Sequence, residues 1–114
     1  MIIATRINIV AMSVGRHIVT GRQFERLDDF EQAAVIAHEM GHIFHRHALH
    51  RLWWLISFQW DNIKLRCSAQ EYEADAFAKQ HGHVDGLIHF LKRCKNEESL
   101  LHPSPQERIL RLQA

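Results

Sequence analysis

Apolar and polar positions alternate between residues 7 and 20. Ile7, Ile9 and Ala11 share one face, and Ile18 and Thr20 resume it beyond Ser13-Val14-Gly15-Arg16. A period of two predicts strands, the interruption a turn, and Gly21 the end of the segment. The period then lengthens. Ala33, Ala37, Met40 and Phe44 recur at helical spacing, and Asp28 with Glu31 three residues on has the spacing of a capping box. Asp29 adds negative charge where a helix N-terminus favours it. Residues 30–60 contain no proline and only Gly41, which predicts one long helix or two separated by a break. Ser68 with Glu71 predicts another helix start, and Gly82 its stop. A short helix follows over Leu87 to Cys94, then a polar loop from Lys95 to Ser99. Ser104-Pro105, with Glu107 in capping-box spacing, opens the last helix. The pattern describes a small α+β domain, two or three strands followed by helices.

Composition narrows the class. A chain of 114 residues is one domain by length, spanning 1–114, and 46% hydrophobic with 24% charged residues excludes a disordered tail or a collagen-like repeat. Lys and Arg total 14 against 13 Asp and Glu, so no basic nucleic-acid surface is expected. Cys67 and Cys94 form no C-x-x-C pair; free buried thiols are the preferred reading, a single bridge the alternative. The first residues place Arg6 and Asn8 inside the apolar run, unlike a secretory signal. The most apolar stretch, Leu52 to Trp60, is far short of the ~20 residues of a membrane span. A cytoplasmic location is the default expectation. Trp53, Trp54 and Trp60 are candidates for a peripheral membrane or oligomer contact, but packing into a core is preferred in so small a domain.

The unusual number is histidine, ten in all. His38-Glu39-Met40-Gly41-His42 is an H-E-x-x-H sequence within the long helix. Histidines four apart lie one turn above each other and can share one ion, and zinc favours such nitrogen ligands. Glu39 is placed to meet a water and take its proton. Chance supplies about 0.06 such matches in a chain of this composition. A third ligand is needed. Ala48 stands where a metzincin histidine would be. Glu71 is the glutamate candidate, although it serves equally well as the capping partner of Ser68. Asp75, one turn later, is placed to accept a hydrogen bond from a ligating imidazole, and Glu73 reads as a solvent-facing charge.

Several segments in order resemble the HtpX-like and CAAX prenyl protease family of gluzincin zinc metallopeptidases. They are Val35 to His42 with Arg46-His47, then Glu71 to Ala78, then His102-Pro103 with Arg108-Ile109 and Leu112. Asn8 to Ala11 and Ile18 to Gly21 are similar to the strand pair that precedes the family's active-site helix. The resemblance implies a zincin-like minimal domain: a small N-terminal sheet, the active-site helix and three further helices. It implies His38, His42 and Glu71 as ligands of one zinc ion, Glu39 as general base and acid, and Asp75 orienting a ligand. It further implies that His102 lies near the metal and donates to a developing oxyanion, with Arg108 holding that segment. His47 is read as structural or as supporting a ligand. His45 and His50 cannot face the ion together with it, and His17, His81, His83 and His89 read as surface or loop residues.

The function so implied is zinc-dependent endopeptidase action on extended or unfolded polypeptide, which adds to a sheet edge along His17 to Gly21. The alternative is a latent or non-catalytic zinc module whose open position is blocked by His102 or the C-terminal tail. Soluble H-E-x-x-H proteases linked to phage-type repressors are a further comparison, but their motif usually has Asn at the place of Asp75 and lacks the His102-Pro103 element. Many relatives carry transmembrane helices, and none is evident in this chain.

Overall fold

The computed structural model describes residues 1–57, 63–99 and 102–114. Three short strands come first: β1 (Ile2–Ala4), β2 (Ala11–Val14) and β3 (His17–Thr20). β2 and β3 form a hairpin that turns at Gly15-Arg16, pairing Val14 with His17 and Ala11 with Thr20. β1 runs parallel to β3 on its other side, so the sheet order is β1-β3-β2. This corrects the expectation of substrate pairing along His17 to Gly21. β3 is central, with partners on both edges, whereas β2 is an edge strand. It is also β2 that packs more extensively on the helix carrying His38.

The alternating residues Ile7 and Ile9 do not extend β2. Their carbonyls accept from the amides of Arg22 and Gln23 at 2.9 and 3.1 Å. Those donors belong to the first turn of the short α1 (Arg22–Glu25), so the carbonyls serve a helix start and not a sheet.

α2 (Asp29–Phe44) begins as the sequence predicts. Glu31 N donates to Asp28 Oδ1 at 2.8 Å, and Asp28 N reaches Glu31 Oε1 at 3.4 Å. Its buried stripe is rotated by about one residue from the expected one. Ala34, Val35, Ala37, His38, Gly41 and His42 face inward, while Ala33, Met40 and Phe44 are exposed. The long helix over 30–60 is divided: Arg46 adopts a left-handed φ of 54° and starts α3 (His47–Ile56). α4 (Ile63–Gln80) places Ser68 inside the helix, so Ser68 caps nothing there. It ends at Gly82 (φ 83°), whose amide bonds Lys79 O while His83 N bonds Ala78 O, a Schellman motif. α5 (Val84–Arg93) starts three residues before the expected Leu87. α6 (Pro105–Gln113) is capped by Ser104, whose side chain accepts from Glu107 N at 3.2 Å.

The core forms where α2, α4, α5 and α6 meet, around Ala34, Ala37, Ala78, Leu87, Leu91, Ile109 and Leu112. The small residues let α2 and α4 approach closely. A Cβ on Gly41 would lie 2.8 Å from Ala74 Cα, a distance real side chains do not reach. The architecture is therefore α+β, with α4, α5 and α6 as the three helices beyond the divided one. Cys67 and Cys94 are free thiols, and burial pushes both up from the ordinary thiol pKa.

The apolar residues of α3 correct another expectation. Leu49, Leu52, Trp53, Leu55 and Ile56 are exposed, with Trp53 at 61%, and only His47 of this helix is buried. They do not pack into the core. Trp54 is half-buried and lies beneath the Arg66 guanidinium, 5.2 Å from the ring centroid. Trp60 and Phe58 lie outside the described residues. No described helix is long and apolar enough to cross a membrane.

Candidate metal centre

His38, Glu39 and His42 occupy the inward face of α2 and are buried. One turn apart, the two imidazoles project together, with Nε2 atoms 3.1 Å apart and rings edge to face. Glu71 comes in from α4, brought close by the Gly41 contact, and is completely buried. Its Oε2 lies 2.6 Å from His42 Nε2, and its Oε1 3.8 Å from His38 Nε2. The ligand atoms of His38, Glu39 and His42 also lie within 4.8 Å of one another.

His38 is held from behind. Its Nδ1 lies 2.7 Å from Asp75 Oδ1, and Arg108 grips the same carboxylate with two bonds, at 2.7 and 2.9 Å. An ionised carboxylate only accepts, so His38 Nδ1 carries the proton and Nε2 presents its lone pair to the centre. Burial raises the Asp75 carboxyl, but the bonds from Arg108 and His38 outweigh it, and Asp75 titrates below the usual carboxylate range. Glu71 follows the same logic: burial raises it, and the contact with His102 together with the close imidazoles of His42 and His38 more than reverses the effect. It remains a carboxylate in the interior.

Do these groups suit a metal ion? Glu71 Oε2 is buried and makes no hydrogen bond, although His42 Nε2 is near, because the contact is misaligned for one. A lone pair on His38 Nε2 and an orphaned carboxylate oxygen converge on one point with His42 Nε2. The Arg51 guanidinium, 3.7 Å from Glu71 Oε2, offsets their mutual repulsion only in part. A tetrahedral ion with nitrogen ligands at 2.0–2.1 Å would hold them about 3.3–3.4 Å apart, within the observed range of separations. The donor set fits zinc.

Two cavities meet at this point. One, of about 260 Å³, leads from His38 and Glu71 towards the apolar Val35, Leu87, Phe90 and Leu91. The other, of about 280 Å³, lies beside Met12 and Ser13 of β2 and reaches Arg51. Ala11, Glu39, Glu71 and His102 line both. His102 is half-exposed, and its Nδ1 contacts Glu71 Oε1 directly.

All the residues singled out in the sequence thus gather at one place: His38, Glu39, His42, Glu71, Asp75, His102 and Arg108. The capping alternative for Glu71 is removed by the position of Ser68 within α4. His17, His45, His50, His81, His83 and His89 line neither cavity. From sequence, Glu73 and Arg51 are not assigned to the site, and His47 only as structural or as supporting a ligand. His47 is buried, with Nδ1 2.7 Å from His42 Nδ1. Glu73 lies 3.2 Å from His47 Nε2. Arg51 bonds Gln70 at 2.6 Å and stands 3.7 Å from Glu71. Five positions past His42 is not a neighbouring position on a straight helix, so only the break at Arg46 brings His47 there.

The comparison with known proteins bears on residues 7–66, which match the model of peptidase family M48. No curated protein and no solved structure matches the chain. The matched stretch runs from the segment before β2 into the start of α4 and contains His38, Glu39 and His42, whereas Glu71, Asp75, His102 and Arg108 follow it. Since that stretch is more than half of the sequence and includes the helix that builds the centre, the chain belongs to peptidase family M48.

Proposed function

We propose that this chain is a zinc-dependent endopeptidase acting on extended or unfolded polypeptide, with one zinc held by His38, His42 and Glu71. The observation that carries the reading is the convergence of these three buried donors beside Glu39, at the junction of two open cavities. Bound there, zinc supplies Lewis acidity towards a carbonyl and acidifies a water molecule. Glu39 takes the proton of the attacking water and returns it to the leaving amine. His102, which lines both cavities with its Nδ1 against Glu71 Oε1, donates from a protonated Nε2 to the oxygen of the tetrahedral species. Asp75 fixes the ring of His38, and Arg108 neutralises and aligns Asp75. The peptide backbone pairs with the free edge of β2, where hydrogen bonds give affinity with little sequence selectivity. The apolar cavity towards Leu87 and Phe90 receives one substrate side chain.

One contact supports a second reading, a latent zinc module. His102 meets the ligand carboxylate of Glu71 itself, where a blocking group would stand. The test combines metal analysis with cleavage of unfolded casein. One zinc per chain is expected, and Glu39→Gln should keep the zinc while losing about 10²–10⁴ in rate. A folded, metal-free chain from zinc-replete medium would sink the assignment. His102→Ala separates the two readings: a slower enzyme means an oxyanion donor, a faster one a latch. Removing the tail wholesale would not, because α6 carries the buried Arg108, Ile109 and Leu112.

A further inference from the structure

The Nδ1 atoms of His42 and His47 lie 2.7 Å apart, and both residues are buried. Two bare nitrogens at that distance repel, and so do two protonated ones, so one proton lies between them. Its owner is set on the far side of His47. His47 Nε2 lies 3.2 Å from Glu73 Oε2, and a carboxylate only accepts, so His47 carries its proton on Nε2. A neutral imidazole carries a single N–H, and that of His47 is engaged on Nε2 by Glu73. Its Nδ1 is then a lone-pair acceptor, and the shared proton belongs to His42.

We propose that Glu73 and His47 form a positioning relay that keeps the proton of His42 on Nδ1 and so leaves Nε2 free for the metal. The inference rests on the zinc reading above and assigns two residues outside the ligand set. It makes the centre symmetric in its logic: Asp75 sets the tautomer of His38 directly, and Glu73 sets that of His42 through one intervening imidazole. The αL residue Arg46 is what permits this. It breaks the helix after α2, so that His47, the first residue of α3, meets His42.

The test is zinc affinity of the full chain by competition with a coloured chelator. His47→Leu and His47→Asn have nearly the same shape, but only Asn offers an oxygen close to the position of Nδ1. Leu should weaken zinc binding about 10- to 100-fold, and Asn should recover most of that loss. Glu73→Leu, at the half-exposed end of the relay, should weaken it by a smaller factor; unchanged affinity would take Glu73 out of the relay. Nitrogen NMR of the zinc-loaded wild type reads the same claim without mutation. A coupling between the two Nδ1 atoms through the hydrogen bond is expected, with the His47 proton on Nε2. Equal losses for Leu and Asn, or a His47 proton on Nδ1, overturn the relay while leaving the zinc site standing. A wild-type chain that binds no zinc overturns both.

Discussion

The α2–α4 pair and α3 invert the usual relation between polarity and burial. Along α2 and α4 the interior contains His38, Glu39, His42, Glu71 and Asp75, none more than 8% exposed. On α3, a helix rich in leucine and tryptophan, the only buried residue is a histidine. The difference lies in partners. Each buried polar group of the first pair meets a complementary one from another element, as Asp75 meets Arg108 and His38, or converges on a position suited to a cation. Of the apolar side chains of α3, Trp54 lies beneath Arg66, while Leu49, Leu52, Trp53, Leu55 and Ile56 stay exposed among the described residues. Burial in so small a domain follows what each side chain can be paired with, and hydrophobicity alone does not determine it.

This contrast can be tested by substitution on both sides. The largest effect should come from Arg108→Leu, which strands the buried Asp75 carboxylate. A loss of about 3–5 kcal/mol in denaturant unfolding is expected, and a neutral result would mean that the charge network is not closed in solution. Gly41→Ala should follow, at about 1–3 kcal/mol from overpacking. The new methyl meets the backbone of Ala74, and the helix-propensity gain of about 1 kcal/mol only partly offsets that. Zinc affinity should fall with it, because α4 must retreat and take Glu71 along. Smallest of all, Trp53→Gln should stay within about 0.5 kcal/mol. A cost several times larger would show that the α3 face is covered in solution, and the contrast would collapse.

The sequence made local devices legible. Asp28 and Glu31 cap α2 with neighbours three apart, Gly82 stops α4, Ser104 with Pro105 starts α6, and His38 and His42 share a face because helical spacing requires it. What escaped depended on distant contacts. Ser68 and Glu71 have the spacing of a cap, but three-residue spacing also occurs within any helix, and α4 includes Ser68 in its interior. Ile7 and Ile9 alternate like a strand while their carbonyls serve α1. Arg46 in a left-handed conformation carries no sequence signal, since glycine or asparagine would be the usual choice there. His47 reads from sequence as structural or as supporting a ligand, but spacing alone does not place it against His42. The exposure of α3 was likewise illegible, because amphipathic spacing describes a face without saying whether anything lies against it.

The bond from Arg108 to Asp75 also bears on the order in which the molecule is assembled. His38 and the arginine that secures its partner lie 70 positions apart in the chain. Such long-range closures come late, after the loop entropy between them has been overcome. Until α6 docks, Asp75 has no guanidinium, and His38 lacks a fixed orientation. A chain emerging from synthesis would therefore present the H-E-x-x-H helix well before it could hold that helix in working order. The support of His38 is thus complete only once α6 has docked.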